Sequence, residues 1–471
     1  MEEEYSVDDP THLLQEASDF ALYPGAQNDA SAKDFLDRFP LPVIINALQT
    51  KGDVPGLENT LVACLERIFN TKYGASFIPQ YMLFVQVGLK ADSQIVRSLA
   101  CKTVTCLLEH FDDNTISPAR LIVDHDGRVR VLALIVKLFS ISNSVASTIY
   151  NSNLLNLFEA EINNTNDTLV TLSALELLYE LAEFQHGTEF LSRTTLLHLL
   201  CSIISSTSTE SILRSRAMMT SGRLLSRENI YTFIDESSVK IVISALDKIL
   251  ELSESQDTDE SESALEALGQ IGSSIEGAVL LLSSSPPAAR HVIDAAFDRQ
   301  GHGKQLQTQA ALHALGNIAG ESRPENKILL NGDAEESLRR LMYITASKSS
   351  KLTPSGLLVS VLQQDSEIRL AGYRVITGMV ARLWFLMEIC SKQEIINIVT
   401  DASTETTKIG MEARYKCCQS IHKAFVSSSK LLNDPALAGL AAKLQEAVRR
   451  GPYLARKHFE AQPVVVTADR F

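Results

Sequence analysis

One short helical sentence returns along most of this chain, and its period leaves few folds open. A turn bearing Asp, Asn or Ser is followed by Val or Ile, often by Arg, then by a small residue three positions on. Apolar residues at helical spacing complete it. The copies run Ser93-Gln-Ile-Val-Arg-Ser-Leu-Ala100, Asp126-Gly-Arg-Val-Arg-Val-Leu-Ala133, Asp167-Thr-Leu-Val-Thr-Leu-Ser-Ala174 and Glu210-Ser-Ile-Leu-Arg-Ser-Arg-Ala217. Further copies centre on Ala264, Ala311, Gly372 and Ala413. Successive anchors lie 33, 41, 43, 47, 47, 61 and 41 residues apart. The short gap predicts a truncated repeat. The long one predicts an insertion, placed around Lys348–Ser355, where Ser, Lys, Thr, Pro and Gly cluster.

A period of about 40–47 residues belongs to armadillo and HEAT units. A small residue at a fixed place in each unit lets neighbouring helix backbones approach where a Leu would hold them apart. Between anchors lie amphipathic stretches such as Lys240–Leu250, with apolar residues at i, i+3, i+4 and i+7. No alternating run of useful length argues for strands. The expected fold is therefore an all-α, armadillo/HEAT-like α-solenoid over residues 51–450. Residues 1–50 are expected to form a partly irregular cap, with Pro40 and Pro42 bracketing a helix start, and residues 451–471 an extended tail. The stretch 251–262, with six acidic residues, is expected to be a solvated loop between repeats.

Composition then excludes whole classes of function. The chain carries 43 basic and 57 acidic residues, a net charge of −14, and no basic stripe beyond Arg449-Arg450 and Arg456-Lys457. Nucleic acid and anionic membranes are not expected partners. No stretch is long and apolar enough to span a bilayer. The acidic start Met-Glu-Glu-Glu-Tyr lacks an apolar signal core, so a cytoplasmic, possibly also nuclear, location is expected. The seven cysteines, at 64, 101, 106, 201, 390, 417 and 418, form no CxxC pair and are expected as buried, reduced thiols.

Concentrated chemistry is absent. Gly269, Gly272 and Gly277 follow no strand and lead to no GK[ST], so they do not make a phosphate loop. There is no HExxH, GxSxG or HRD, and the histidines show no metal-ligand spacing. Gly301-His302-Gly303 is expected to be a linker. Neither catalysis nor a cofactor is expected.

A solenoid without an active site works through its concave surface. Ala311-Leu-His-Ala-Leu-Gly-Asn-Ile-Ala-Gly320 resembles the third helix of armadillo repeats in the importin-α and β-catenin families, where positions two and six after the small anchor face the groove. Carried across, that resemblance implies a protein-binding ladder of Glu176 and Glu180, Met219 and Arg223, Glu266 and Gln270, and His313 and Asn317. Arg374, then Tyr415 and Gln419, continue it. Lys102, Cys106, Ile135 and Phe139 hold the same places in the earlier repeats. Import receptors array Trp and Asn at these positions, whereas here only Asn317 keeps that pattern. An import receptor is disfavoured.

Three further stretches carry a narrower resemblance. Gly269-Gln-Ile-Gly-Ser-Ser-Ile-Glu-Gly277, Asp365-Ser-Glu-Ile-Arg-Leu-Ala-Gly-Tyr-Arg-Val-Ile-Thr-Gly-Met379 and Gly451-Pro-Tyr453 are similar to segments of the 26S proteasome non-ATPase regulatory subunit 5 family, in the same order. Residues 1–50 and Ser283-Ser-Ser-Pro-Pro287 depart from it. The resemblance implies a non-catalytic assembly chaperone, and a capped solenoid is expected to be a monomer. Its partners would be the C-terminal domain of one proteasomal AAA ATPase subunit and intermediates of regulatory-particle base assembly. The alternative is a general armadillo scaffold or adaptor in signalling or trafficking.

Overall fold

A computed structural model describes residues 10–25, 28–50, 54–89, 91, 93–96, 98–100, 102–103, 128–151, 153–163, 167–252, 258–298 and 305–453. Every regular element among them is helical. The chain divides into two compact units, 1–238 and 239–471, at a point within the helix Glu236–Leu252.

Helices carrying the small anchors stack side by side within each unit. In the first unit these ladder helices are α1 (Arg128–Ile141), α2 (Thr168–Leu181) and α3 (Ser211–Leu225), each packed on the next. In the second they are α4 (Thr258–Ile271), α5 (Gln305–Ala319), α6 (Ser366–Met379) and α7 (Lys408–Ser427), with α8 (Ala438–Arg450) against α7. At least two further helical segments follow each of α1 to α7, in keeping with the three-helix plan of an armadillo unit. Both units are armadillo/HEAT-like α-solenoids.

The recurring sentence explains this stacking. Its turn residue is the helix N-cap. Asp167 accepts from the N–H groups of Leu169 and Val170, Asp365 from those of Glu367 and Ile368, and Thr407 from that of Gly410. Its small anchor is buried: Ala174, Ala217, Ala264 and Ala311 are fully so, and Gly372, buried too, faces Val361 of the flanking helix Pro354–Leu362. The glycines mark the closest approaches. A Cβ on Gly269 would lie 2.6 Å from the Ala314 Cα, and one on Gly272 2.4 Å from the Ile318 Cγ1. The glycine-rich segment is thus a contact between α4 and α5. Its end is a cap, where the Ser274 hydroxyl accepts from the Gly277 N–H.

Two anchors fall in a different register. Ala133 is only half-buried, while Leu132, Ile135, Val136 and Phe139 are buried, so Ile135 takes the place that Ala174 holds in α2. Likewise Ala413 is half-buried, and α7 buries Arg414, Cys417, Cys418 and Ile421. Cys417 therefore sits at the seam, one helical turn later than expected. The long gap between Ala311 and Gly372 has another cause than the expected loop. Residues 349–353 form a short turn, and the extra length lies in the segment 320–331 and the 17-residue helix Gly332–Lys348. Residues 10–50, expected to be irregular in part, form helices Pro10–Leu22, Asp29–Arg38 and Leu41–Thr50 around a core with Phe35, Ile44, Leu61 and Ile68. Pro40 precedes the third of these helices and Pro42 lies in its first turn, where a missing N–H costs nothing. Of the stretch 251–262, expected to be a solvated loop, 251–252 end one helix and 258–262 open α4 with Glu260 and Ser261 buried; residues 253–257, the tail beyond 453 and residues 301–304 lie outside the described residues.

A basic side chain recurs behind the ladder helices, buried at Arg323 and Arg382 and half-buried at His186 and Arg227. Helices stacked in the same direction leave their last carbonyls unpaired at one edge. Arg323, after α5, donates to the Gly272 and Ser273 carbonyls at the end of α4 and to those of Asn317 and Ile318 at the end of α5. Arg382, after α6, donates to the carbonyls of Ala319 and Gly378, which end α5 and α6. It also makes a two-pronged ion pair with Glu335, at 2.7 and 2.9 Å. In the first unit His186 donates Nε2–H to the Phe139 carbonyl near the end of α1 at 2.6 Å, and Arg227 donates to the Glu183 carbonyl beyond α2 at 2.8 Å.

The described cysteines are free and buried. Burial pushes the thiols of Cys64 and Cys390 up to about 12, which removes the thiolate that redox chemistry needs.

Two substitutions test this packing. Gly272→Ala drives a methyl into Ile318 and is expected to destabilise the protein by about 1–3 kcal/mol in denaturant unfolding. Arg382→Ala strands Glu335 and two helix ends, and a loss of about 3–5 kcal/mol is expected. A loss under about 1 kcal/mol there would show that water replaces the clamp.

Candidate functional site

The predicted ladder residues lie on α2 and α3 in the first unit and on α4 to α7 in the second. In the first unit two cations and one aromatic ring organise the surface. Glu176 pairs with Arg216, and Arg223 with Glu183. Both guanidinium groups lie over Tyr179, that of Arg223 3.6 Å and that of Arg216 5.0 Å from the ring centroid. Glu180 is exposed and Met219 half-buried. Cation–π contacts of this kind contribute about 0.5–2 kcal/mol and fix the two arginines in place. Tyr179, Glu183 and Arg216 were missed in the sequence, although each lies within three residues of a named position.

In the second unit His313, Asn317 and Arg374 come together across α5 and α6. Arg374 donates Nη1–H to His313 Nδ1 at 2.7 Å and Nη2–H to Asn317 Oδ1 at 3.1 Å. Its Nε–H and Nη2–H meet Glu321 Oε2 at 3.1 and 3.0 Å. Lys416, from α7, takes the other oxygen of the same carboxylate. Two turns on, Lys423 of α7 pairs with Glu325. Both lysines reach back past α6 to the segment that follows α5. Glu321 organises this group and was not anticipated; it stands ten residues beyond the Ala311 anchor, past the positions the armadillo resemblance carries over.

Electrostatics follow the geometry. Burial lowers the His313 pKa, as does the positive Arg374, against a smaller opposing effect of Glu321; it falls to about 4. His313 is thus neutral, as it must be to accept from Arg374. For Glu321, burial opposes ionisation, but the Lys416 hydrogen bond and the charge of Arg374 outweigh it and hold the carboxyl below its usual range.

The remaining predicted positions are placed differently. Glu266 is exposed, and Gln270 donates to it at 3.4 Å. Tyr415 turns toward α8, donating its hydroxyl proton to the Val448 carbonyl at 3.1 Å, while Gln419 is exposed. This follows from the shifted register of α7. Ile135 and Phe139 are core residues, with Phe139 stacked on His186 at 5.7 Å. Lys102 pairs with Glu66 at 2.6 Å, and Cys106 lies outside the described residues.

Asp247, Glu251 and His291 present oxygen and nitrogen atoms within 4.8 Å of one another. However, Arg290 donates to His291 Nε2, and Nδ1–H then donates to Asp247 at 2.7 Å. That arrangement is a hydrogen-bonded chain in which the ring has no lone pair left for a cation. Among the described residues no helix is long and apolar enough to cross a membrane.

The sign of the His313 shift sets a pH dependence. A depressed folded-state pKa means the unfolded chain binds the proton first, so stability is complete above about 6.5 and falls as pH drops toward 4. The loss is about 1–2 kcal/mol once partial exposure is allowed for. His313→Gln is expected to flatten the denaturation midpoint over that window. An unchanged slope would separate His313 from the effect.

Comparison with known proteins sets these units in a family. The pattern described as proteasome non-ATPase 26S subunit matches residues 119–469. The human 26S proteasome non-ATPase regulatory subunit 5 is 22% identical over 348 residues, which cover 72% of this chain and 63% of that protein. Its bovine counterpart is 21% identical over 69% of this chain and 61% of its own length. The chain thus matches less than two thirds of the length of either relative. Among solved structures, importin beta is similar over 94% of this chain and 52% of its own, at 13% identity and a TM-score of 0.47. With its match extending over residues 119–469, well over half its length, the chain belongs to the proteasome non-ATPase 26S subunit family.

Proposed function

We propose that this protein is a non-catalytic assembly chaperone that holds a proteasomal ATPase subunit while the base of the regulatory particle forms. The family match over residues 119–469 carries this reading. The name of its human and bovine relatives, a non-ATPase regulatory subunit of the 26S proteasome, agrees with it. The ladder surface supports it chemically. Its arginines and Glu321 are already engaged by their own neighbours, so a partner would meet a preset surface instead of ordering one. Each unit offers an exposed carboxylate, Glu180 in the first and Glu266 in the second, that would steer a basic partner at high rate while leaving the complex reversible. Binding in the cytosol, by a monomer, through the C-terminal domain of one ATPase subunit is the form we propose.

The test is affinity capture of the tagged protein from lysate, scored for proteasomal ATPases. One ATPase with its ring neighbours, without core-particle subunits, is the expected result. Stable recovery of unrelated partners and no ATPase would point to the scaffold reading instead. Glu180→Lys combined with Glu266→Lys is expected to weaken ATPase binding about tenfold, roughly 1.4 kcal/mol, without lowering the unfolding midpoint. Unchanged affinity would take the ladder out of the interface.

A further inference from the structure

Within the second unit, a different surface lies on the helices that flank the ladder. The helix Gly332–Lys348 and the turn after it carry Arg339, Arg340, Lys348 and Lys351, and residues 337–352 contain no carboxylate. The helix opens on Asp333, Glu335 and Glu336, and in a chain of net charge −14 only its later turns and the turn after it reverse the sign. Arg339 lies 3.6 Å from Glu336 and Lys348 3.1 Å from Asp294. Arg340 and Lys351, both exposed, make no ion pair among the described residues.

Large apolar side chains are exposed on the same helix and turn and on the helix Leu383–Cys390. Ile344, Leu383 and Met387 are each 40–45% exposed, and Leu352 is 69% exposed. The rings of Tyr343 and Trp384 meet at 5.7 Å between centroids. Hydrogen bonds join the parts into one surface. The Tyr343 hydroxyl donates to Glu388 Oε1 at 2.9 Å and the Ser355 hydroxyl to Glu388 Oε2 at 2.7 Å. The helix Gly332–Lys348, the turn leading to Ser355 and the helix Leu383–Cys390 are thereby tied at a single carboxylate, and that carboxylate is occupied by the two hydroxyls.

Leu352 is the least expected member. Its φ of 62° lies in the left-handed region, which a branched side chain rarely adopts. Gly or Asn would form this turn with less strain. The turn is held by the N–H of Thr353 on the Lys351 carbonyl at 2.8 Å and by that of Lys351 on the Ser349 hydroxyl at 3.1 Å. A strained turn that points a large apolar side chain into water loses stability twice over.

We propose that this surface binds an acidic segment of a partner protein that carries aliphatic or aromatic side chains. Leu352, Ile344 and Met387 would meet its apolar side chains, with Trp384 and Tyr343 as the rigid floor. Arg340 and Lys351 would pair with its carboxylates and set its charge preference. Aliphatic side chains predominate over rings here, which favours a peptide over stacked bases. The surface is distinct from the ladder, and its partner has the opposite charge to the one proposed there.

Trp384 is the only tryptophan in the chain, so its fluorescence reports on this surface alone. The full-length protein would be titrated with a synthetic amphipathic peptide of about 18 residues, five helical turns, with Leu and Phe on one face and Glu and Asp on the other. A saturable change in Trp384 emission is expected, weakened at least about tenfold by Arg340→Glu with Lys351→Glu and by raised salt. Leu352→Gly removes the side chain and relieves the backbone. It is expected to keep the unfolding temperature within about 2 °C while weakening the peptide severalfold. The same peptide with Lys and Arg on its polar face, and a single-stranded oligonucleotide, serve as the other arms. No saturable change, equal binding of the basic peptide, or tighter binding of the oligonucleotide would each overturn the proposal.

Discussion

Helices stacked side by side in one direction bring their unpaired C-terminal carbonyls, and the negative ends of their dipoles, to a common edge. Water could solvate that edge only if the stack were loose. Here it is closed by a guanidinium or an imidazole from the next repeat, which donates to the end of the preceding ladder helix and, in Arg323 and Arg382, to the end of its own. A planar, permanently charged group with five donors suits two converging helix ends better than an ammonium would. Because each such contact joins two repeats, it fixes the spacing on which everything else in the stack relies. The small residues at the seam are its counterpart. They permit the close approach that the buried cation then holds.

This spacing determines what the ladder face can offer a partner. The guanidinium of Arg374 is anchored on α6 but satisfied by groups on and after α5, and Glu321 is shared between Arg374 and Lys416 of α7. The polar groups are thus committed across three repeats before any partner arrives. Such a surface recognises by shape and by a fixed charge pattern, at little ordering cost. It also couples neighbouring repeats, since displacing the α5 repeat breaks ion pairs to both of the next two. Around Tyr179 the first unit repeats the idea with a ring in place of a shared carboxylate.

The three stretches that resemble the family all have structural duties. Gly269 and Gly272 let α4 meet α5, and Ser274 caps the helix beyond. Asp365 caps α6, whose Gly372 and Gly378 face Val361 and Ala319. The Pro452 carbonyl accepts from buried Arg414, and Tyr453 donates to Glu412, fastening the chain after α8 to α7. The stretches through which the sequence resembles the family thus serve mainly to join the repeats.

Helical class, repeat period, the small-residue seam and the capping turns were legible in the sequence. Each is a local pattern, in which i, i+3 and i+4 share a helix face and an Asp or Thr bonds its own chain two or three residues on. Family membership was legible for the same reason, through contiguous segments. The register of α1 and α7 was not, because their chosen anchors, Ala133 and Ala413, satisfy the small-residue pattern while the core selects Ile135 and Cys417 by packing. The arginines that close the helix ends left a faint trace, a basic residue ten to twelve positions after the anchor at Arg227, Arg323 and Arg382, but their acceptors lie up to 63 residues away. Pairings such as Arg374 with Glu321, or Lys416 with the same carboxylate, exist only once helices are stacked. The sequence by itself determined which segments become helices and which faces they bury. Tertiary structure alone decided which charges meet, because those distances are set by packing between repeats and not by spacing along the chain.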